Sequence, residues 1–255
     1  MTNKDILRIA LKQQAIDSNC LPEDFLQSEN KVVISKTNPQ ARKYLELPFF
    51  CDLVSYGSNI VASVDSSVVD VVSKFINKNK VEHCFQTPNL YKLNDEIEKH
   101  GMKICFMAEY FLPDVEAMKP ISCEYETRML YPKDFTNLYT GQWSNALGET
   151  RKELDVLGVG AYDGETLIGL AGCSADCESM WQIGIDVLPE YRRKGIAVAL
   201  TNRLAREILA LGKIPFYCCA WANLGSARNA IRSGLLPAWV HVTAKSEEFI
   251  RKMNK

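Results

Sequence analysis

The sequence predicts an α+β protein in which a mixed, largely antiparallel sheet flanked by helices follows a smaller α/β N-terminal domain. The first observation is a hairpin pattern: the apolar runs Leu157–Tyr162 and Thr166–Cys173 flank Asp163-Gly164, a dipeptide that tolerates the positive φ of tight turns. The second is the strand pattern Trp181–Val187, which leads through a basic turn into a helical pattern. The third is the stretch Leu112–Pro120, where two prolines and intervening charges interrupt every periodic pattern and mark a domain boundary.

Length and composition describe an ordinary globular protein of two domains, which we place at residues 1–118 and 119–255. A chain of 255 residues could bury one large core or two modest ones, and the usual ~100–200 residues per domain favours two. Hydrophobic residues make up 47% of the chain and the formal net charge is -1, so no basic excess favours nucleic acid as a partner. No apolar stretch approaches the roughly 20 residues that a membrane-spanning helix needs, and charges interrupt the N-terminal segment where a signal peptide would be apolar. We expect neither a membrane partner nor export.

The cysteine pattern favours a cytoplasmic protein without a metal site. Nine cysteines are scattered along the chain, and none forms a CxxC pair. An odd number of thiols fits a reducing cytoplasm better than a disulfide-bonded exported protein. Cys173 and Cys177 lack the second ligand pair that a zinc site requires, so we expect buried or inert thiols.

The N-terminal domain has the pattern of a small mixed α/β fold. A helix is predicted over residues 4–17, and a second over Ser66–Asn77, where three valines and a phenylalanine share one helical face. Strand-like apolar runs occur at Val32–Ser35, Ile60–Val64 and Lys103–Met107.

The C-terminal domain is predicted to follow the order βαβββαβαβ. Its long helix begins after the basic turn, carries an apolar residue near every fourth position and is expected to end at Gly212. Besides the hairpin and the strand Trp181–Val187, the predicted elements are the strand Glu124–Leu130, the helix Pro132–Trp143, the strand Ile214–Trp221, the helix Ser226–Ser233 and the closing strand Ala238–Thr243.

The basic turn before the long helix is the most informative segment of the chain. Gly195 allows the backbone to approach a ligand closely, and the first turn of a helix has backbone N–H groups without helical partners. The helix dipole and the side chains of Arg192, Arg193 and Lys194 favour an anion there. A pyrophosphate suits such a turn, although a solvated basic turn at the start of a helix has the same pattern.

Other nucleotide-binding and nucleophilic patterns are not supported. Gly158-Val-Gly160 and Gly164 lie within the predicted hairpin, so they lack the spacing and the following helix of a dinucleotide-binding fold. No G-x-x-x-x-G-K-[ST] sequence is present, which argues against a P-loop nucleotide hydrolase. The three histidines occupy no spacing typical of a Ser-His or Cys-His nucleophile.

The basic turn resembles the signature of the GNAT superfamily of N-acetyltransferases. Arg192–Ala197 matches its Q/R-x-x-G-x-G/A motif, and Val187 lies where that family ends its fourth strand. Asn223-Leu-Gly-Ser226 and Ala230-Ile-Arg-Ser-Gly234 resemble the helix and turn that follow in the family. The resemblance covers about residues 120–245, and the N-terminal domain resembles only a subgroup of two-part bacterial relatives.

The resemblance implies acetyl-CoA as the co-substrate and no metal. On a splayed fourth strand, the backbone groups of Ile185 and Val187 would bind the acetyl and pantetheine portions. Asn223 and Ser226 would contact the pantetheine arm or the reacting end, unless they only cap the following helix. The backbone amides expected to bind the pyrophosphate are those of Arg192, Arg193, Lys194, Gly195, Ile196 and Ala197.

The chemistry that the resemblance implies is direct attack of a primary amine on the thioester in a ternary complex. A carboxylate can relay the amine's proton through water, and Asp176 and Glu178 are the nearest candidates in the loop before the strand Trp181–Val187. Many family members carry a tyrosine seven positions after the motif asparagine to protonate the departing thiolate, whereas this chain has Ala230. Tyr217 and Cys219 on the neighbouring strand are the candidate replacements.

The acceptor, the acyl-chain preference and the oligomeric state stay open from the sequence. A small-molecule amine and a protein amine both fit, and the N-terminal domain is expected to help form the acceptor pocket. Because Ala230 replaces the family tyrosine and no acid–base pair stands out, a non-catalytic acyl-CoA-binding sensor is the alternative.

Overall fold

The computed structural model of the chain describes residues 1–254, which divide into two compact units. Unit 1 comprises Met1–Ala10 and Phe111–Pro237. Unit 2 comprises Leu11–Tyr110 and residues 238–254. The last part of the chain therefore belongs with residues of the N-terminal half.

Strands and helices alternate irregularly along the chain. Among the described residues, no helix is long and apolar enough to cross a membrane. The strands are β1 (Lys31–Ile34), β2 (Cys51–Ser55), β3 (Val61–Val64), β4 (Met102–Pro113), β5 (Glu126–Leu130), β6 (Asp155–Asp163), β7 (Thr166–Ser174), β8 (Met180–Val187), β9 (Ile214–Ala220) and β10 (Leu235–Ser246). The helices are α1 (Asn3–Ser18), α2 (Val69–Lys78), α3 (Val81–Cys84), α4 (Thr87–Glu98), α5 (Ile196–Ala210), α6 (Leu224–Arg232) and α7 (Glu247–Met253).

Unit 1 is built on strands in the spatial order β9-β8-β7-β6-β5. The pairs from β5 to β8 are antiparallel, and β9 runs parallel to β8. Helix α5 packs across β6, β7, β8 and β9. The predicted fold class, a largely antiparallel mixed sheet flanked by helices, is confirmed.

Local sequence signals place the hairpin and the long helix of unit 1 where we predict them. Asp163 pairs with Thr166 across the β6–β7 turn, and Gly164 supplies a φ of +59°. Gly212, with a φ of +74°, follows the end of α5. The apolar residues of α5 that are buried at every fourth position are Ile196, Leu200, Leu204 and Ile208.

The predicted helix over Pro132–Trp143 is wrong, because the segment forms short 3-10 turns at its two ends. The side chain of Asp134 accepts a hydrogen bond from the preceding backbone, a local bond that competes with helix formation. Phe135 and Trp143 are buried in an apolar cluster with side chains of β5 and β7. Their helix-like spacing therefore reflects anchoring of an irregular segment to the sheet.

Unit 2 has strands in the spatial order β1-β3-β2-β10-β4, with an apolar cluster formed by the sheet and helices α2, α3 and α4. The predicted strands near β1 and β3 and the predicted helices near α1 and α2 are confirmed to within a few residues. The sequence pattern did not reveal β2, α4 or α7. Every residue of β2 is buried, so the strand lacks the polar alternation that marks a half-exposed strand.

The units divide the chain differently from the expected boundary after residue 118. Strand β4 continues to Pro113, and the division falls within it, between Tyr110 and Phe111. Strand β10 pairs with β2 from Val240 to Thr243, which joins residues 238–254 to unit 2.

Two glycines in unit 1 allow a backbone segment to lie directly on the sheet. Gly172 of β7 and Gly184 of β8 are register partners. A Cβ on Gly184 would lie 1.7 Å from the Asn145 carbonyl oxygen, and one on Gly172 would lie 2.1 Å from the Ala146 carbonyl oxygen. At such distances a side chain at either glycine would force the crossing backbone to shift.

Gly184→Ala tests this close approach. We expect a loss of about 3 kcal/mol in the free energy of unfolding, because overpacking against backbone typically costs about 1–3 kcal/mol. Gly225→Ala in α6 is the control, since its new Cβ would lie 3.7 Å from the nearest atom, Asn223 Oδ1. That variant should be neutral or more stable by up to about 1 kcal/mol. Urea denaturation measures both, and equal stabilities would contradict the packing described here.

Candidate functional site

Strands β8 and β9 of unit 1 run side by side and then part. Their parallel ladder extends from Met180 opposite Ile214 to Ile183 opposite Tyr217. Beyond that pair β8 continues to Val187 and β9 continues to Ala220, outside the ladder. We call the gap between these strand ends the fork.

Backbone groups of β8 point into the fork. The Leu188 N–H donates to the Ile168 carbonyl on the β7 side, at 2.9 Å. Because backbone groups of successive residues in a strand point to opposite sides, residues 184 and 186 also bond towards β7. The N–H and C=O groups of Ile185 and Val187 therefore face the fork. The Val187 carbonyl accepts a hydrogen bond from Arg192 Nε at 3.0 Å. The Val187 N–H and both backbone groups of Ile185 remain available to a ligand in the fork.

The turn after β8 presents free amides at the start of α5. Arg193 and Gly195 have φ values of +67° and +79°, and this conformation leads directly into the helix. The first helical bond at this end runs from the Ala199 N–H to the Gly195 carbonyl, at 3.1 Å. No hydrogen bond within residues 1–254 engages the backbone N–H groups of residues 193–198. Together with the helix dipole, they form a site suited to an anion.

The three basic side chains of the turn have different roles. Arg192 closes the turn, because its side chain bonds to Val187 and its N–H bonds to the Pro189 carbonyl at 3.3 Å. Lys194 Nζ lies 3.2 Å from Tyr125 Oη and 4.9 Å from the centre of the Tyr191 ring. Arg193 is exposed and forms no hydrogen bond or ion pair with the rest of the described chain. Arg193 therefore has its whole guanidinium group available to a ligand, whereas Arg192 and Lys194 each have one hydrogen bond to the protein.

The turn is braced from the hairpin side as well. Tyr191 donates its hydroxyl hydrogen to Asp163 Oδ2 at 2.8 Å, and its ring packs edge-on against Tyr125, with centroids 5.7 Å apart. Asp163 closes the β6–β7 turn. The position of the free amides is thus fixed by contacts with two other parts of unit 1.

The structure brings Tyr217 and Ser226 together at the closed end of the fork. Their hydroxyl oxygens are 2.6 Å apart. Burial raises the pKa of Tyr217, against the smaller opposing effect of its hydrogen bonds. Asn223, rather than Ser226, caps α6, because Asn223 Oδ1 accepts a hydrogen bond from the Ser226 N–H at 3.1 Å. Tyr217 thus carries a protonated hydroxyl at neutral pH beside the last paired residues of β8 and β9.

The two candidate carboxylates lie away from the fork. Asp176 is fully buried, forms an ion pair with Arg151 and accepts a hydrogen bond from Ser174 Oγ at 2.8 Å. Glu178 is exposed. Both precede β8, whose residues from Met180 to the fork alone span about 10 Å at ~3.3 Å per residue. The structure therefore gives Asp176 a structural ion pair and leaves Glu178 beyond the closed end.

A feature that we did not predict lies on the opposite face of β8 from α5. Asp186 accepts three hydrogen bonds from Asn145 and Ala146: two from their backbone N–H groups, at 2.9 and 3.0 Å, and one from Asn145 Nδ2, at 2.6 Å. The glycines at 172 and 184, each inside a strand pattern, were the sequence signal for a crossing backbone. Elsewhere in residues 1–254, no group of three or more His, Cys, Asp or Glu side chains is arranged to hold a metal ion.

Comparison with protein-family models gives a match over most of the chain. Residues 66–234 match the family described as GNAT acetyltransferase. The match begins well before the boundary that we expect at residue 118, so part of the N-terminal half belongs to the same family model. A search of curated proteins found no match.

Solved structures of acetyltransferases are similar to this chain at low identity. A GCN5-related N-acetyltransferase from Kribbella flavida is 14% identical with a TM-score of 0.49, over 62% of this chain and 63% of that chain. A GCN5-related N-acetyltransferase-like protein from Streptococcus suis is 16% identical with a TM-score of 0.46, over 62% and 67%. An acetyltransferase from the GNAT family of Colwellia psychrerythraea is 11% identical with a TM-score of 0.45, over 56% and 57%. The chain thus spans 57 to 67% of the length of these three proteins.

The raised pKa of Tyr217 predicts a pH-dependent difference in stability between the wild type and Tyr217→Phe. An exposed tyrosine ionises near pH 10 in the unfolded chain, whereas the folded protein keeps Tyr217 protonated. The contribution of Tyr217 is therefore fully present below about pH 10 and is lost as pH rises further. The difference in the free energy of unfolding should be constant from about pH 7 to 9 and shift in favour of the variant above about pH 10. A difference that stays flat to about pH 11 would contradict the burial of this hydroxyl.

Proposed function

The chain belongs to the GNAT acetyltransferase family, and on that premise we propose that it transfers an acetyl group from acetyl-CoA to a primary amine. The family implies acyl transfer from acetyl-CoA. The direct attack of the amine in a ternary complex, and an acceptor that is either a small molecule or a protein, belong to the proposal. All nine cysteines are free thiols, which supports a reducing, cytoplasmic location.

The parting of β8 from β9, next to the free amides of residues 193–198, is the observation that carries this proposal. The fork offers backbone donors and acceptors in a row, which suits the amide groups of a pantetheine arm. The free amides at the end of that row suit the diphosphate of the same molecule. One extended ligand with an amide-containing arm and a diphosphate accounts for both features.

Under this proposal each predicted cofactor residue has a specific part. Ile185 and the N–H of Val187 bind the acetyl and pantetheine portions from the fork. Asn223 holds α6 in place at the next strand end, and Ser226 orients Tyr217. Arg192 acts through the shape of the turn, since its side chain and its N–H already have partners. The residues proposed to bind the diphosphate through backbone N–H groups are Arg193, Lys194, Gly195, Ile196 and Ala197.

The reaction requires a neutral amine, a nearby thioester and an acid for the departing sulfur. The amine nitrogen forms a bond to the thioester carbonyl carbon, the carbon–sulfur bond breaks, and coenzyme A leaves as a thiolate. We assign Tyr217 as the donor of a proton to that thiolate, because its raised pKa keeps it protonated and Ser226 fixes its hydroxyl. The attacking nitrogen loses its proton to water, and water returns a proton to Tyr217, so the enzyme is restored.

A non-catalytic acyl-CoA sensor is the second candidate. It is favoured by Ala230, which is fully buried where many relatives carry a tyrosine, and by Asp176, whose carboxylate is held in an ion pair. Release of free thiol from acetyl-CoA in the presence of a panel of primary amines supports the transferase. Tight binding of coenzyme A without turnover across the whole panel supports the sensor.

Gly195→Glu tests the anion site. A Cβ at position 195 would meet no protein atom within 4 Å, so the fold should persist, while a carboxylate is placed where the diphosphate would bind. We expect affinity for coenzyme A to fall by at least about 100-fold in calorimetric titration. Gly195→Ala is the matched control: it introduces the same strain at a φ of +79° without the charge and should bind within about tenfold of the wild type. Unchanged affinity in Gly195→Glu would rule out this turn as the diphosphate site.

Tyr217→Phe and Glu178→Gln separate the candidates for proton transfer. Tyr217→Phe should lower kcat by about 10- to 100-fold while leaving the affinity for coenzyme A unchanged, because general acid catalysis contributes at least that much. Glu178→Gln should leave kcat and the pH–rate profile unchanged, since Glu178 lies before β8 and away from the fork. A lowered kcat with an altered acidic limb in Glu178→Gln would instead identify Glu178 as the base.

A further inference from the structure

The segment Trp143–Leu147, which we call the cover segment, lies flat against β7 and β8 at the fork. Gly184 is the first residue of β8 beyond the ladder to β9, and the Asn145 carbonyl oxygen lies directly above it. The partner glycine at 172 gives the neighbouring peptide the same close approach. Backbone atoms of the cover segment therefore lie against this face of β8 at the residue where the fork begins.

The cover segment is held in place from two directions. Asp186 accepts hydrogen bonds from both backbone N–H groups at positions 145 and 146 and from the Asn145 side chain. Trp143, Ala146 and Leu147 are at most 4% exposed and belong to a single apolar cluster. A segment fixed by charge-assisted bonds on one side and by packed side chains on the other cannot move aside without losing both.

Protein side chains also bound the fork at its inner end and on the face towards α6. The paired residues Ile183 and Tyr217 close its inner end. Tyr217 and Ser226 occupy the face towards α6. The inner end of the fork therefore lies beside the Asn145 peptide on one face of β8 and beside the tyrosine hydroxyl on the other.

We propose that Asp186 sets the length limit of the acyl group by holding the Asn145 peptide against Gly184, and that this limit selects acetyl over longer chains. The inference rests on the proposed function, because it takes the inner end of the fork as the acyl position. Asp186 is a positioning residue: it contacts the cover segment, and the cover segment limits the space. In a packed site each added methylene is felt, and discrimination of about 10-fold or more per methylene is typical.

The test compares equilibrium binding of coenzyme A, acetyl-CoA, propionyl-CoA and butyryl-CoA by calorimetry, which requires no knowledge of the acceptor. The wild type should bind butyryl-CoA at least about 10-fold more weakly than acetyl-CoA. In Asp186→Ala that ratio should fall to within about threefold, while the affinity for free coenzyme A stays unchanged. Asn145→Ala removes one of the three bonds and should give an intermediate ratio. Glu165→Ala is the charge-matched control, because Glu165 is 93% exposed on the β6–β7 turn.

The outcomes separate the inference from the function on which it rests. Butyryl-CoA and acetyl-CoA binding equally well to the wild type, or a ratio unchanged in Asp186→Ala, overturns the length limit while leaving the transferase assignment in place. A wild type that binds neither coenzyme A nor its thioesters overturns both. If Asp186→Ala does not fold, Asp186→Asn and Asn145→Ala still weaken the hydrogen bonds between Asp186 and the cover segment in steps. A ratio of acetyl-CoA to butyryl-CoA affinity that stays constant through that series also overturns the length limit.

Discussion

The backbone of β8 beyond Ile183 is the constraint on which the rest of unit 1 depends. A strand inside a sheet normally satisfies its N–H and C=O groups on both sides, but here β8 keeps only the β7 side after its ladder to β9 ends. Ile185 and Val187 consequently aim polar backbone groups into the fork while their side chains pack against the apolar core. The site is defined by backbone geometry, so apolar residues at these positions are compatible with a polar ligand.

The basic turn is the second consequence of where β8 ends. Positive side chains at the start of a helix oppose the helix dipole, so Arg193 and Lys194 gain from an anion bound at the α5 N-terminus. The turn keeps its shape through Arg192 bonded to Val187 and through Tyr191 bonded to Asp163. The bracing is done by side chains, which leaves the amides available for a ligand.

The elements that surround the candidate site could be predicted from local sequence, whereas the side chains that meet there depend on packing. Gly195, the start of α5 and the strand before the turn follow from short-range patterns, and the structure has them in place. Asp176 is close in sequence to β8, but the structure pairs its carboxylate with Arg151 in the segment that precedes the strand. Asp186 went unnoticed because its partners lie some forty residues earlier in the chain and carry no motif.

The sequence by itself determined the α+β class, the β6–β7 hairpin, the amphipathic α5 and the anion-suited turn, because each is encoded by periodicity or by glycine within a few neighbouring residues. Tertiary structure alone decided that Pro132–Trp143 is an irregular anchored segment, that residues 238–254 join unit 2, and that Tyr217 meets Ser226 at the fork. The physical reason is the sequence separation between the residues that interact. Hydrogen bonds and side-chain burial between distant parts of the chain set these features, and they outweigh the weak local preferences from which a sequence is interpreted.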